Sequence, residues 1–227
     1  MPQRYFVLEN NGSIEGQDAH HIRHVMRMTL GDSIIVCHQG KCFDAVISGI
    51  GTQVHYTIKR ELLAPTSIHV TLVQGLPKHP KPEFVAKYAT IFGVSHLVFV
   101  PMNRSIAKLE NTANKQKRLD AIAKEAAELS HRFDVPPIQF LESIKSLDMN
   151  PFQVILLADE AQKDNRLESF YNPSLHQRIM IIIGPEGGID PEERKWFLEQ
   201  GAHPITLGHA ILPTEAASLY LLSRLLA

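Results

Sequence analysis

From about residue 68 onward, short apolar runs alternate with longer stretches in which apolar positions recur every three or four residues. Val154–Ala158 and Arg178–Ile183 are almost entirely apolar, the pattern of central parallel strands covered on both faces. Ile68–Gln74 and His96–Val100 read as further strands. Pro82–Phe92, Asn114–Leu129, Pro191–Gln200 and the stretch from Thr214 to the end read as helices, the second with Leu119, Ile122, Ala126 and Leu129 on one stripe. Strands alternating with helices predict an α/β domain with a largely parallel sheet.

The first 67 residues are patterned differently. Arg4–Leu8, Ser33–His38, Lys41–Ile50 and Gln53–Leu62 are rich in β-branched and aromatic residues, and turn signals at HQGK (38–41) and GIGT (49–52) separate the later ones. One helix, Asp18–Met28, interrupts them, and a small β-barrel is the shape this predicts. ELLAPTS, residues 61–67, has the composition of a boundary, so the reading is two domains, 1–67 and 68–227.

Composition narrows the class without choosing a function. The 227 residues are 44% hydrophobic and 21% charged, ordinary for a globular protein. No stretch approaches the roughly 18 to 20 apolar residues of a spanning helix, and the first residues lack the order of a signal peptide. A cytoplasmic protein with no membrane partner is therefore expected. Cys37 and Cys42 have no second pair to complete a zinc site, so they read as small buried or half-buried thiols, with a disulfide as the alternative. The net charge of −1 hides an asymmetry: residues 71–132 carry five more Lys and Arg than Asp and Glu, whereas residues 133–227 carry six fewer. The basic middle suits either a phosphate-binding face or solvated helix surfaces.

Two segments carry the chemistry. The strand ending at Ile183 runs into Gly184-Pro185-Glu186-Gly187-Gly188, after which Asp190-Pro191-Glu192-Glu193 has the signature of a capped helix start. A second glycine lies in LGHAILPTEAAS, residues 207–218, just before the last helix. Ligands of open α/β sheets bind at the carboxyl ends of strands, and glycine there lets backbone amides approach a ligand. The spacing matches neither a dinucleotide fingerprint nor a P-loop.

These blocks are similar to those of the ribosomal RNA small subunit methyltransferase E family of the SPOUT superfamily. The similarity extends through RYF (4–6), HVMR and GD (24–32), LPK with Lys81 and Lys87, FGV (92–94), PMNRS (101–105), AKEAAELSHR (123–132) and ADEA (158–161). The resemblance implies an N-terminal PUA-like β-barrel and a SPOUT α/β domain whose C-terminal segment forms a trefoil knot. It also implies a homodimer that binds S-adenosylmethionine and makes 3-methyluridine in the 16S rRNA of the small ribosomal subunit. By the same resemblance the cofactor contacts Ala158, Asp159, Glu160, Gly184, Pro185, Glu186, Gly187, Gly188, Leu207, Gly208, Ile211, Leu212 and Thr214. An apolar wall of Leu and Ile suits the uncharged adenine.

The chain departs from the family pattern where Ala210 and Pro213 stand in place of two arginines. An arginine beside the target stabilises the uridine anion as its ring nitrogen attacks the methyl group. Either Arg4, Arg104, Arg132 or His209 supplies that function, or the chain is a non-catalytic or altered-specificity RNA-binding protein of the same fold that keeps the cofactor pocket. RNA contact is expected of Arg4, Arg23, Arg27, Lys78, Lys81, Arg104, Ser105 and Arg132, with plain solvation, and for Arg132 a helix C-terminus, as the competing roles. His20 and His24 have the i, i+4 spacing of metal ligands but no accompanying carboxylate motif, so no metal is expected. Trp196 reads as core or dimer packing.

Overall fold

A computed structural model describes residues 2–226, which divide into two compact units. The first comprises the residues up to Thr66 together with Ala127–Val135, and the second comprises Ser67–Ala126 and the chain from Pro136 onward.

The first unit is a mixed five-stranded sheet in the order β1 (Gln3–Phe6), β3 (Ser33–His38), β4 (Lys41–Ile50), β5 (Val54–Leu62), β2 (Ser13–Ile14). β1 runs parallel to β3, and the other pairings are antiparallel. One core takes Tyr5 from β1 and Ile14 from β2, the two ends of the sheet order, along with Ile34, Val36, Ala45, Ile47, Val54 and Tyr56. The sheet therefore wraps its inward residues around a single centre. The expected single helix is two pieces, an α-turn α1 (Gly16–His20) and a π-helical turn (His21–Val25), with Ala19 and Ile22 plugging the core.

The thiol reading of Cys37 and Cys42 is corrected. The two residues are direct partners across the β3–β4 hairpin and form a disulfide. A C-x4-C spacing around a two-residue turn places both side chains opposite each other on one sheet face. That face also buries Ile35, with Phe6, Leu62 and Phe133 packed over it.

The second unit is a six-stranded parallel sheet in the order β11 (His203–Ile205), β9 (Val154–Ala158), β10 (Arg178–Ile183), β6 (His69–Gly75), β7 (His96–Val100), β8 (Ile138–Phe140). Its helices are α2 (Lys81–Phe92), α3 (Thr112–Leu129), α4 (Pro191–Glu199) and α5 (Thr214–Leu226), the last turn of α3 belonging to the first unit. One face of the sheet, with Val73, Val98, Val100, Ile155, Leu157, Met180 and Ile182, packs with Phe197 and Trp196 of α4. Alternate residues such as Leu72, Phe99, Leu156, Ile179 and Ile181 are buried too, and α5 lies against both β10 and α2. Burial on both faces accounts for the unbroken apolar runs of β9 and β10. The short strands β8 and β11 were not legible in the sequence, because three residues carry too little periodicity. No helix of the described residues is long and apolar enough to cross a membrane.

Because every pairing in this sheet is parallel, the loops after β6, β9, β10 and β11 all emerge at one edge. The chain goes outward through β6, β7 and β8, then crosses back to β9 and β10 on the other side of β6. That reversal of direction is where a crevice opens in such sheets.

Candidate functional site

At that edge lies a cavity of about 580 Å3, bounded by the loops after β9, β10 and β11 and by the first turns of α2, α4 and α5. Ala158, Asp159, Glu160, Gly184, Pro185, Glu186, Gly188, Leu207, Gly208, Ile211, Leu212 and Thr214 all line it. Gly187 stands just behind, where a side chain would press on Arg104 at 3.0 Å. Two segments far apart in sequence thus become two walls of one cavity, as expected from GPEGG and LGHAIL.

The glycines serve the loop itself more than an approaching ligand. Gly188 has φ of +72°, which favours glycine, and a Cβ there would meet Glu160 Oε1 at 3.1 Å. The loop then enters α4 through Asp190, whose Oδ1 accepts the Glu192 amide at 3.0 Å, with Pro191 in the first helical position. Glu193 lies against the Asp190 backbone amide, and its Oε1 also accepts the Asn103 amide at 2.8 Å, joining α4 to the loop after β7. Burial outweighs these bonds and raises its carboxyl pKa.

The apolar wall is Ile183, Ile189, Leu207, Leu212 and Ala217, with Ile211 at the lip, 82% exposed. The charged lining alternates in sign. Asp159 holds Arg194 at 2.5 Å. Lys81 lies 3.4 Å from Glu186 and 2.9 Å from Glu215. Burial alone would lower the Lys81 pKa, but its bonds to Glu215 and Glu186 prevail and raise it. For Glu186, burial acts upward and is overcome by the Lys78 amide and Lys81, so its pKa falls. Arg104 donates to the Gly187 carbonyl at 3.2 Å and stands 3.9 Å from Asp190, its side chain 44% exposed.

The four residues expected as catalytic candidates fall into two groups. Arg104 and His209 line the cavity, as do Ala210 and Pro213 themselves. Arg4 is buried in the first unit, with its guanidinium bonded to the His131 and Arg132 carbonyls and lying over the Phe133 ring. Burial lowers its pKa. Arg132 pairs with Asp134 at 3.0 Å. Arg4 and Arg132 belong to the first unit, whereas the residues lining the cavity belong to the second.

Of the other expected RNA contacts, Arg27 is exposed and has φ of +52°, at the end of the π-turn. Arg23 is partly engaged, donating to the Ala19 and Gly51 carbonyls. Lys78 is exposed beside the cavity, and the Ser105 hydroxyl closes a turn by accepting the Met102 amide. The rings of His20 and His24 are 4.6 Å apart, and no group of three or more His, Cys, Asp or Glu among the described residues is placed to hold a metal ion. Trp196 packs on the core, edge-on to Phe197.

Three polar residues that line or adjoin the cavity carry no motif in the sequence. Arg194 lies one turn after the cap Asp190, a position that faces back to a strand's carboxyl end. Glu215 stands in the first turn of α5. Gln74 is a long polar side chain near the end of a central strand and is fully buried.

Comparison with known proteins places the chain firmly. Residues 64–226 match the RNA methyltransferase domain family, and residues 14–53 match the RNA methyltransferase PUA domain family. A ribosomal RNA small subunit methyltransferase E from Bacillus subtilis (strain 168) is 34% identical over 97% of this chain and 94% of its own length. A probable rRNA-methyltransferase from Porphyromonas gingivalis, seen in a crystal structure, is 26% identical, with a TM-score of 0.84 over 98% of this chain and 96% of its own. A ribosomal RNA small subunit methyltransferase E from Neisseria gonorrhoeae, crystallised bound to S-adenosyl methionine, shares the fold at 22% identity, with a TM-score of 0.87 over 99% of this chain and 96% of its own.

Proposed function

Because this chain belongs to the ribosomal RNA small subunit methyltransferase E family, we propose that it methylates N3 of a uridine in 16S rRNA with S-adenosylmethionine as donor. The observation that carries this reading is the cavity itself, where residues 158–160, 184–188 and 207–214 converge. The lining suits the donor: apolar side chains for adenine, and backbone groups with Asp159 and Glu160 for hydroxyl and ammonium groups. When bound, S-adenosylmethionine supplies an electrophilic methyl group. No metal is needed for that transfer.

The chain's own part is to bind, orient and neutralise. Arg104 is the most exposed of the cations in the lining and is anchored at the loop by the Gly187 carbonyl. We assign it the electrostatic role that the two missing arginines leave open, holding the uridine imide as negative charge develops on the ring. Arg27 of the first unit contributes phosphate contact, as suits a PUA-like RNA-binding domain.

The remaining features of the reading are a knot and a dimer. Strand β11 at the sheet edge is followed by α5, which lies against β10 and α2, and this return across the sheet supports the knot. Phe84 of α2 and Tyr220 of α5 are partly exposed, with the Tyr88 ring tilted against Phe84 at 4.5 Å, and this aromatic surface is assigned to a homodimer. An rRNA substrate also implies a cytoplasmic location.

A second reading, RNA binding without efficient transfer, is favoured by one observation: each cation in the lining already has a carboxylate partner. Nucleoside mass spectrometry of 16S rRNA from strains with and without the gene decides between them. Loss of 3-methyluridine on deletion is expected, and unchanged 3-methyluridine would overturn the enzymatic reading.

A further inference from the structure

We propose that Gln74 is a positioning residue for the cofactor, a buried amide that sets the distance between the two walls of the cavity. This rests on the cavity being the S-adenosylmethionine site. Gln74 is next to last in β6 and is fully buried. Its Nε2 donates to Thr214 Oγ1 at 2.7 Å and approaches the Gly184 carbonyl at 3.4 Å. Thr214 Oγ1 in turn donates to that same Gly184 carbonyl at 2.5 Å. The relay therefore has a fixed direction, amide to hydroxyl to carbonyl. Its middle and its end are the first residue of α5 and the first residue of the glycine loop.

Gln74 does not line the cavity, but Gly184 and Thr214 both do. Any influence on a ligand must pass through them. The neighbouring residue strengthens the anchor by shape alone: a Cβ on Gly75 would lie 2.6 Å from Pro185, so the end of β6 bears directly on the glycine loop. Gln74 Oε1 has no hydrogen-bond partner in the protein. An unmet buried acceptor is a cost to folding that an apolar side chain of similar size would avoid. The amide is thus poorly explained as core filling and well explained as the donor that begins the relay. Thr214 is reassigned at the same time, because its hydroxyl is committed within the protein and its contribution to the ligand is the placement of the wall.

The test is calorimetric titration of S-adenosylmethionine into the wild-type protein and into Gln74→Leu, Gln74→Glu, Thr214→Val and Thr214→Ser, with thermal melting as a check of folding. Wild-type binding establishes the site itself; its absence would sink the proposed function and not the relay alone. Gln74→Leu and Thr214→Val are each expected to weaken binding about tenfold, the equivalent of one ordinary hydrogen bond, while Thr214→Ser retains affinity. Combining the first two should add little, since either one breaks the same relay. Gln74→Glu gives a readout that core packing would not move. Its carboxylate accepts but cannot donate, so binding should be weak at neutral pH and recover on acidification as the carboxyl regains an O–H. Wild-type affinity in folded Gln74→Leu or in Thr214→Val would overturn the proposal. If Gln74→Leu does not fold, a Gln74→Glu profile that follows the wild-type pH profile would overturn it equally.

Discussion

Lys81 Nζ lies 2.9 Å from Glu215 Oε2, so a single ion pair joins the first turn of α2 to the first turn of α5. The same ammonium reaches Glu186 of the glycine loop, and all three side chains are less than one-third exposed. The lysine is therefore a clasp between a cavity wall and the terminal helix.

Removing the clasp should loosen the cavity. K81M is expected to weaken S-adenosylmethionine binding by about 1 kcal/mol, roughly fivefold, the upper end for a pair not fully buried. E215Q should do less, because Glu186 remains. The pH dependence has a definite sign. Glu186 titrates below its usual range in the folded protein, so its contribution is present above the ordinary carboxylate pKa and is lost as pH falls through the lowered value. Lys81 is raised, so its contribution is present below the ordinary lysine pKa and is lost as pH rises through the folded value. Thermal melting across pH should show the acid-side loss of stability in the wild type and a flatter profile in K81M.

Arg104 tests the catalytic assignment. R104A is expected to lower single-turnover methyl transfer by about 100- to 1,000-fold, the scale of one lost preorganised donor, with cofactor affinity changed only a few-fold. R104K keeps the charge but not the planar fork and should fall between the two. A rate within threefold of wild type for R104A would remove the residue from the reaction.

Arg4 and Arg27 should respond in opposite ways. Arg4 is enclosed, and R4M would strip two carbonyls of a buried donor, costing about 2 to 4 kcal/mol of stability, read as a lower melting temperature. The salt dependence of RNA binding by the folded R4M protein should be unchanged. R27A should melt like the wild type and reduce that salt slope by about one.

His96 supplies an acid-sensitive element in the sheet. Burial first, and then His69, lower its pKa, so the native state binds fewer protons than the unfolded chain. Stability should be complete above the ordinary imidazole range and decline as pH falls through it toward the folded value. H96Q should remove part of that slope in denaturant titrations at a series of pH values.

Much of the molecule was legible because its signals are local. The apolar runs at 154–158 and 178–183, the turn at Gln39 and Gly40, and the Asp190-Pro191 helix start are consequences of backbone geometry acting over a few residues. GPEGG and LGHAIL carried the resemblance to the family. What stayed hidden depends on who meets whom. Arg4 reads as a free surface cation until the segment Ala127–Val135 folds over it, and Cys37 and Cys42 read as separate thiols until the hairpin register makes them partners.

The sequence by itself determined the alternation of elements and the two glycine loops, since each is a property of consecutive residues. Only the tertiary structure decided that Gln74, Gly184 and Thr214 form one relay and that Arg104 lines the cavity. The reason is physical: strand order in a parallel sheet brings together loops separated by more than a hundred residues, and a hydrogen bond or an ion pair exists only where that order places its two ends within reach.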